Sequence, residues 1–322
     1  MAGNARQQDL TRALATEPAQ ATGLQRLWPW AILLTLGTAW GLSYSLMKIA
    51  TESGQELLGI LVWHHGLASL LLLILCLLRR TSLAGGFRLV LICVTGGVLS
   101  ALVPSLIYYY AAPHVPAGVL SITVIVAPIA TFLISALIGL EPFSVLRMLG
   151  VALGALAVVL LVVPEASLPD RAQVPWVLAA CFAGICYAAQ NLILARWTPK
   201  GADPSVMTGA MFGTSAAILA AYLATTGSYV PLSFPPGKLE LAIIGMAVIS
   251  AFAYALLIYL INQHGAVFGS QCAYVITLSG VGWGILIFGE GHSVWIWISL
   301  AVMLLGLALV QPHGRPAGDG AA

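Results

Sequence analysis

Residues 138–145 read IGLEPFSV and residues 287–294 read IFGEGHSV. The two octapeptides stand 149 positions apart, and each closes one apolar run and opens the next. The same shift pairs Ala117 with Ala266, Ser121 with Ser270, Val126 with Val275 and Ala152 with Ala301. A shift of 147 pairs Gly37 with Gly184, Trp40 with Tyr187, Gly41 with Ala188 and Tyr44 with Asn191. Leu/Ala-rich helices match one another by composition alone. The informative match is the glutamate, Glu141 or Glu290, followed at the same place in each half by Ser144-Val145 or Ser293-Val294.

Outward from these two points the chain divides into ten apolar stretches. They are Pro29–Ala50, Leu57–Leu78, Leu89–Ala111, Ala117–Leu140, Leu146–Val163, Pro175–Arg196, Pro204–Thr226, Leu239–Asn262, Gly265–Phe288 and Val294–Gln311. Each is of a length that crosses a bilayer as a helix, and the punctuation between them is short and rich in Gly, Pro, His and charge. The alternating segments of about 10 residues that mark a membrane β-barrel are absent. The expected fold is an all-α integral membrane protein of ten transmembrane helices. Five spans per half is an odd number, so the second half enters the membrane from the opposite side. Inverted repeats of this kind mark alternating-access carriers, with the solute site near the midplane where the halves meet. The expected divisions are 1–27, a disordered cytoplasmic tail; 28–163, the first repeat; 164–174, an extracytoplasmic linker; 175–311, the second repeat; and 312–322, a second disordered cytoplasmic tail.

Composition agrees. Of 322 residues 60% are hydrophobic and 7% charged, where a soluble domain carries roughly 25% charged residues. A chain of this size cannot hide so much apolar surface from water, which excludes a soluble enzyme, a nucleic-acid binder and a disordered scaffold. With the N-terminus inside, Arg6, Arg12, Arg26, Arg79, Arg80, Arg88, Arg147, Arg196, Lys200 and Arg315 are cytoplasmic, against Lys48, Arg171 and Lys238 outside. That bias places both termini in the cytoplasm. The first apolar run starts too late and runs too long for a cleaved secretory signal. Cys76, Cys93, Cys181, Cys186 and Cys272 all lie inside apolar runs with no CxxC or Cys/His cluster, so they read as small hydrophobes and no metal is expected.

Polar and aromatic residues inside the spans are the candidates for solute contact. Trp40, Tyr44 and Lys48 share one helical face with Gly37 and Gly41, and Tyr187 and Asn191 repeat the pattern on the sixth span. Lys48 has two readings: an anchor for a substrate carboxylate, or a side chain snorkelling to the interface beside Glu52 and Glu56. Tyr108, at the outer end of the third span with Tyr109 and Tyr110, belongs to an interfacial aromatic belt or faces a cavity mouth, and Tyr254, Gln271, Tyr274 and Thr277, the polar groups nearest mid-depth, either bridge helices or contact solute. His64 and His65 are candidates for proton coupling or gating, against a plain packing role; adjacent helix positions diverge by about 100°, so one of the two is expected to face a cavity. Glu141 and Glu290 are expected to cap the helix that follows each. Gly150 and Gly154 form a GxxxG suited to close helix packing or a dimer contact, and Pro104 and Pro128 loosen their helices.

On these residues the chain resembles the drug/metabolite transporter superfamily, and within it the EamA-type ten-helix carriers, over roughly Trp30 to Val310. The resemblance rests on Ala39-Trp40-Gly41 followed by Ser43 and Lys48, on Pro128, and on Glu141 and Glu290 in their order and spacing. The sequence departs from that pattern in two places. Trp63-His64-His65 stands where an arginine is usual in the second span, and Thr277 stands where a proline matching Pro128 is usual. The resemblance implies transport of metabolites or amino acids, mostly export, through the bacterial inner membrane.

The function expected is a secondary-active or facilitative transporter of small amphipathic metabolites, amino acids or related compounds, working as a monomer or homodimer in the lipid bilayer. Its partners are a small-molecule solute and in one reading a coupling proton; no cofactor or nucleic acid is called for. An uptake carrier of the same fold is the near alternative. A membrane-embedded enzyme is the distant one: no Asp lies in any span, and neither HExxH nor Gly-x-Ser-x-Gly is present.

Overall fold

A computed structural model describes residues 23–82, 86–141, 143–164, 166–199, 201–227, 230–264 and 271–310. The tail residues before 23 and from 311 onward, with Arg6, Arg12 and Arg315, lie outside the described residues, as do Lys200 and the repeat positions Ala266 and Ser270. Among the described residues there is no β-strand. The helices are α1 Gly23–Thr51, α2 Leu57–Leu78, α3 Phe87–Gly96, α4 Val103–Ala111, α5 Ala117–Thr123, α6 Val126–Leu137, α7 Val145–Val162, α8 Val174–Trp197, α9 Pro204–Thr226, α10 Lys238–His264, α11 Cys272–Phe288 and α12 Val294–Val310.

Among the described residues, seven continuous helical stretches are long and apolar enough to cross a membrane: Leu27–Thr51, Leu57–Leu78, Phe87–Ala111, Ala117–Leu137, Val145–Val162, Arg171–Leu194 and Pro204–Thr226. Two further apolar helices, α11 and α12, have 17 residues each, and α10 has 27. Helix ends are marked by local chemistry. The Asp203 carboxylate accepts from Ser205 N and Val206 N at the start of α9, and the Ser144 hydroxyl accepts from Arg147 N at the start of α7. Gly227 and Gly289 close α9 and α11 in the left-handed conformation that glycine adopts without penalty.

Two stretches are irregular, each beside a proline expected to loosen it. The third is interrupted by a π-helical turn, Gly97–Leu102, just before Pro104. The fourth breaks between α5 and α6. Pro128 has no N–H to offer the Val124 carbonyl, and Ala127 N donates to it instead at 3.1 Å, tightening the chain into a turn.

Glycines make some of the closest contacts between the halves. Any Cβ on Gly37 in α1 would sit 2.6 Å from Val275 Cβ in α11, and one on Gly184 in α8 would sit 2.9 Å from Val126 Cβ in α6. Gly37 and Gly184, like Val126 and Val275, are the partners that the sequence repeat aligns, so one contact occurs twice. Gly41 lies against Ser279 and Gly280, while Gly280 in turn lies against Ser121, so α1, α11 and α5 cross at backbone distance. Gly150 packs on Gly306, and Gly154 on Ile129, within the chain. The GxxxG face is therefore consumed inside the molecule, which removes it as a dimer contact.

Candidate functional site

Helices from both halves line a cavity of about 420 Å³. From the first half come Trp40, Ser43, Tyr44 and Met47 of α1, His64 and His65 of α2, Ser105, Tyr108 and Tyr109 of α4, and Ala127 and Pro128 of α6. The second half supplies Tyr187, Gln190 and Asn191 of α8, Thr208, Met211 and Phe212 of α9, Met246, Ser250 and Tyr254 of α10, and Cys272, Ala273 and Ile276 of α11. Both irregular stretches reach its wall, through Ser100 and Ala101 on one side and Val124 on the other. No Asp, Glu, Lys or Arg is among the described residues lining it.

Aromatic rings order the wall. Trp40 meets Tyr254 edge-on with centroids 5.3 Å apart, and Tyr44 meets Tyr108 in the same way at 5.6 Å. Phe212 stands between Tyr254, at 6.4 Å, and His65, at 5.1 Å. The two histidines both line the cavity, contrary to the expectation that only one would, with ring centroids 4.9 Å apart. They diverge along the helix, yet the wall curves round α2 and takes in both. His64 Nδ1 lies 2.9 Å from the Tyr109 hydroxyl and Nε2 lies 3.0 Å from Ser250 Oγ. For His65, Nδ1 lies 2.8 Å from Ser215 Oγ and Nε2 lies 3.3 Å from Ser105 Oγ. The Tyr108 hydroxyl is 3.0 Å from Thr123 Oγ1, beside the helix break. Ser43 Oγ is buried on the wall with no hydrogen-bond partner among the described residues.

Of the residues expected to meet solute, Trp40, Tyr44, Tyr108, Tyr187, Asn191 and Tyr254 line this cavity, and Lys48, Gln271, Tyr274 and Thr277 do not. Lys48 faces neither solute nor Glu52 and Glu56: its Nζ lies 3.8 Å from Glu290 Oε1 and 5.4 Å from the centre of the Phe288 ring. Thr277 is buried at the α5–α11 crossing, where Ser121 Oγ donates to its carbonyl at 3.2 Å. Tyr274 packs on the apolar core, and Gln271 precedes α11. Glu141 stays local, 3.0 Å from Arg147 in the first turn of α7. Glu290 instead crosses to α5, accepting from Ala117 N at 2.6 Å and Gly118 N at 3.0 Å. It caps another helix, not the one that follows it.

Several wall residues were not singled out by sequence: Met211, Phe212, Met246 and Ser250, with Ser105 and Ser215 behind the histidines. A signal existed for most. Met246, Ser250, Tyr254 and Leu257 recur at three- and four-residue spacing on α10, as Thr208, Met211, Phe212 and Ser215 do on α9.

The EamA-like transporter family model matches the chain twice, over residues 28–163 and 174–311. The chain belongs to the EamA-like transporter family. This EamA-like chain is thus a membrane transporter of the drug/metabolite type, and the two matched segments meet at the cavity. No curated protein matches it. A crystal structure described only as "Crystal structure of protein" is similar to it, with 18% identity and a TM-score of 0.60 over 87% of this chain and 94% of that one. That likeness is one of fold.

Proposed function

We propose that the protein is a secondary-active or facilitative carrier of small, net-neutral amphipathic metabolites, amino acids or related zwitterions, across the bacterial inner membrane, in the direction of export. The observation that carries this reading is the cavity. It is built from both halves, sized for a metabolite, ringed by aromatics, and free of formal charge in its described lining. A solute with net charge would give up its hydration there without a counter-ion, a large cost in a membrane interior. A zwitterion or uncharged amphiphile finds instead hydroxyls, the amides of Gln190 and Asn191, and Ser43, whose Oγ has no partner among the described residues.

Two inverted five-helix repeats, ten spans in all and both termini cytoplasmic, form the frame of this proposal. The repeated Gly37–Val275 and Gly184–Val126 contacts support the inversion, and the positive-inside bias supports the orientation. In that orientation the end of the bundle bearing Lys48 and Glu290 faces outward. The cavity lining runs from Thr208 and Cys272, near the starts of α9 and α11, to Tyr108 and Tyr109, near the end of α4.

Charge selectivity tests the reading. In proteoliposomes, uptake of a labelled neutral amino acid by counterflow is expected to be inhibited by zwitterionic aromatic and aliphatic amino acids. Their cationic methyl esters and anionic N-acetyl derivatives are expected to inhibit at least tenfold more weakly, roughly the discrimination that one uncompensated polar group confers. Equal inhibition by all three classes contradicts it.

A further inference from the structure

Three segments far apart in sequence meet on one carboxylate. Glu290 spans the Ala117 and Gly118 amides with its two oxygens, and Lys48 Nζ approaches Oε1 at 3.8 Å while lying 3.5 Å from the Val115 carbonyl. Gly118 and Gly284 form its cradle: a Cβ on Gly284 would overlap the carboxylate, and one on Gly118 would come within 3.2 Å of Oε2. His292 is packed against the same group. Its side chain is 1% exposed, with Nε2 3.7 Å from Glu290 Oε2 and the ring edge-on to Trp297. Neither ring nitrogen has a hydrogen-bond partner among the described residues. The cavity histidines differ in this respect. Every ring nitrogen of His64 and His65 has a hydroxyl partner that can donate or accept, so their neutral rings are satisfied in place.

Building on the carrier reading above, we propose that His292 is the proton-binding group of the Glu290 latch and that its protonation opens this end of the bundle, and that the His64–His65 pair does not have this role. An ionised Glu290 ties α5 to the α11–α12 connection and to α1 at once. His292, packed against that carboxylate, is the group that titrates. Burial outweighs the attraction of Glu290 and holds its pKa below that of an ordinary imidazole. A proton therefore binds more tightly to a form in which the ring is exposed, and by linkage it favours that form. Acidity at this face opens it; neutral pH closes it.

Facing the pair, α1 presents Lys48 and the aromatic ring of Phe288 ends α11; α5 presents backbone amides and α12 the Trp297 ring. The opposite end is built differently. In the repeat alignment Phe143 stands in the place of His292 and Ala195 in that of Lys48, and Glu141 has 45% of its side chain exposed. Proton sensitivity is thus confined to one face.

Hydrogen–deuterium exchange of the Ala117 and Gly118 amides tests this, on the full chain in lipid nanodiscs across the range of about pH 5 to 8 in which imidazoles titrate. Rates are divided by the intrinsic chemical rate at each pH. Protection is expected to fall at least about tenfold on acidification. Glu290→Gln is expected to lack protection throughout, His292→Gln to lose the fall, and Glu290→Asp, which keeps the charge, to retain pH dependence and report on folding. Protection that is constant with pH overturns the proposal. So does a fall that His64→Gln or His65→Gln abolishes while Glu290→Gln and His292→Gln retain it. Solute flux in the same preparations separates the two readings: pH-dependent protection without any flux counts against the carrier and leaves the proton site standing.

Discussion

Lys48 and Glu290 face each other across 3.8 Å, joining the first helix to the connection between the last two. Lys48 is 16% exposed and Glu290 only 7%, so the pair is partly withdrawn from solvent, and the carboxylate keeps two backbone donors besides. Removing the cation leaves a buried charge with reduced compensation. Lys48→Ala is expected to destabilise the protein by about 1–3 kcal/mol, read as a lowered thermal midpoint, with Lys48→Arg close to wild type. The order in which solutes compete for transport is expected to stay unchanged, since Lys48 does not line the cavity. A change in that order would restore the substrate-anchor reading.

The repeat-related glutamate behaves differently. Glu141 pairs with Arg147 at a half-open surface position, and exposed pairs contribute about 0–1 kcal/mol. Glu141→Gln is expected to leave the thermal midpoint within a degree or two of wild type, where Glu290→Gln lowers it clearly. Equal effects from the two would mean that the sequence repeat also repeats in energetics.

Backbone crossings between the halves predict a graded glycine series. Gly41→Ala meets Ser279 and the Gly280 backbone, and Gly280→Ala meets Ser121. Each is expected to cost about 1–3 kcal/mol through overpacking. Gly282 has nothing within 4 Å of its added Cβ, so Gly282→Ala is the control, neutral or slightly stabilising because it removes backbone freedom in a helix. The comparison is made by thermal unfolding in one detergent.

Most of the bundle was legible in the sequence because apolar length, loop punctuation and the repeated glutamate all act locally. The tight contacts of Gly37 and Gly184 were foreshadowed by the repeat alignment. The helix break after Thr123 was legible only as Pro128, since its place depends on which N–H replaces the missing donor. The site was read in part. Trp40, Tyr44, Tyr108, Tyr187, Asn191 and Tyr254 lie on helix faces that small or polar neighbours mark at helical spacing. Lys48 and Thr277 were misplaced because depth in a span does not tell which neighbour a side chain meets: Glu290 and Ser121 are remote in the chain. Phe212 and Met246 carry no polarity to distinguish them from core residues.

The histidine pair predicts its own outcome. His65 lies between Ser215 and Ser105, both dependent on it for the hydrogen bonds it completes. His65→Leu is expected to cost about 1–3 kcal/mol by leaving buried hydroxyls unpaired, and His65→Gln to recover part of it. Unfolding midpoints measured for both variants check this, and an unaltered midpoint for His65→Leu would exclude a structural role.

Transport itself is the most direct test: efflux of radiolabelled amino acids from proteoliposomes, wild type beside Trp40→Ala, with and without an imposed pH gradient. Trp40 closes the aromatic wall on Tyr254. The account predicts saturable efflux from wild type and an apparent affinity weakened about tenfold in Trp40→Ala, in line with the loss of a buried aromatic contact. Saturable efflux that is identical in Trp40→Ala, or an absence of flux above empty liposomes for every net-neutral metabolite tried, would contradict it.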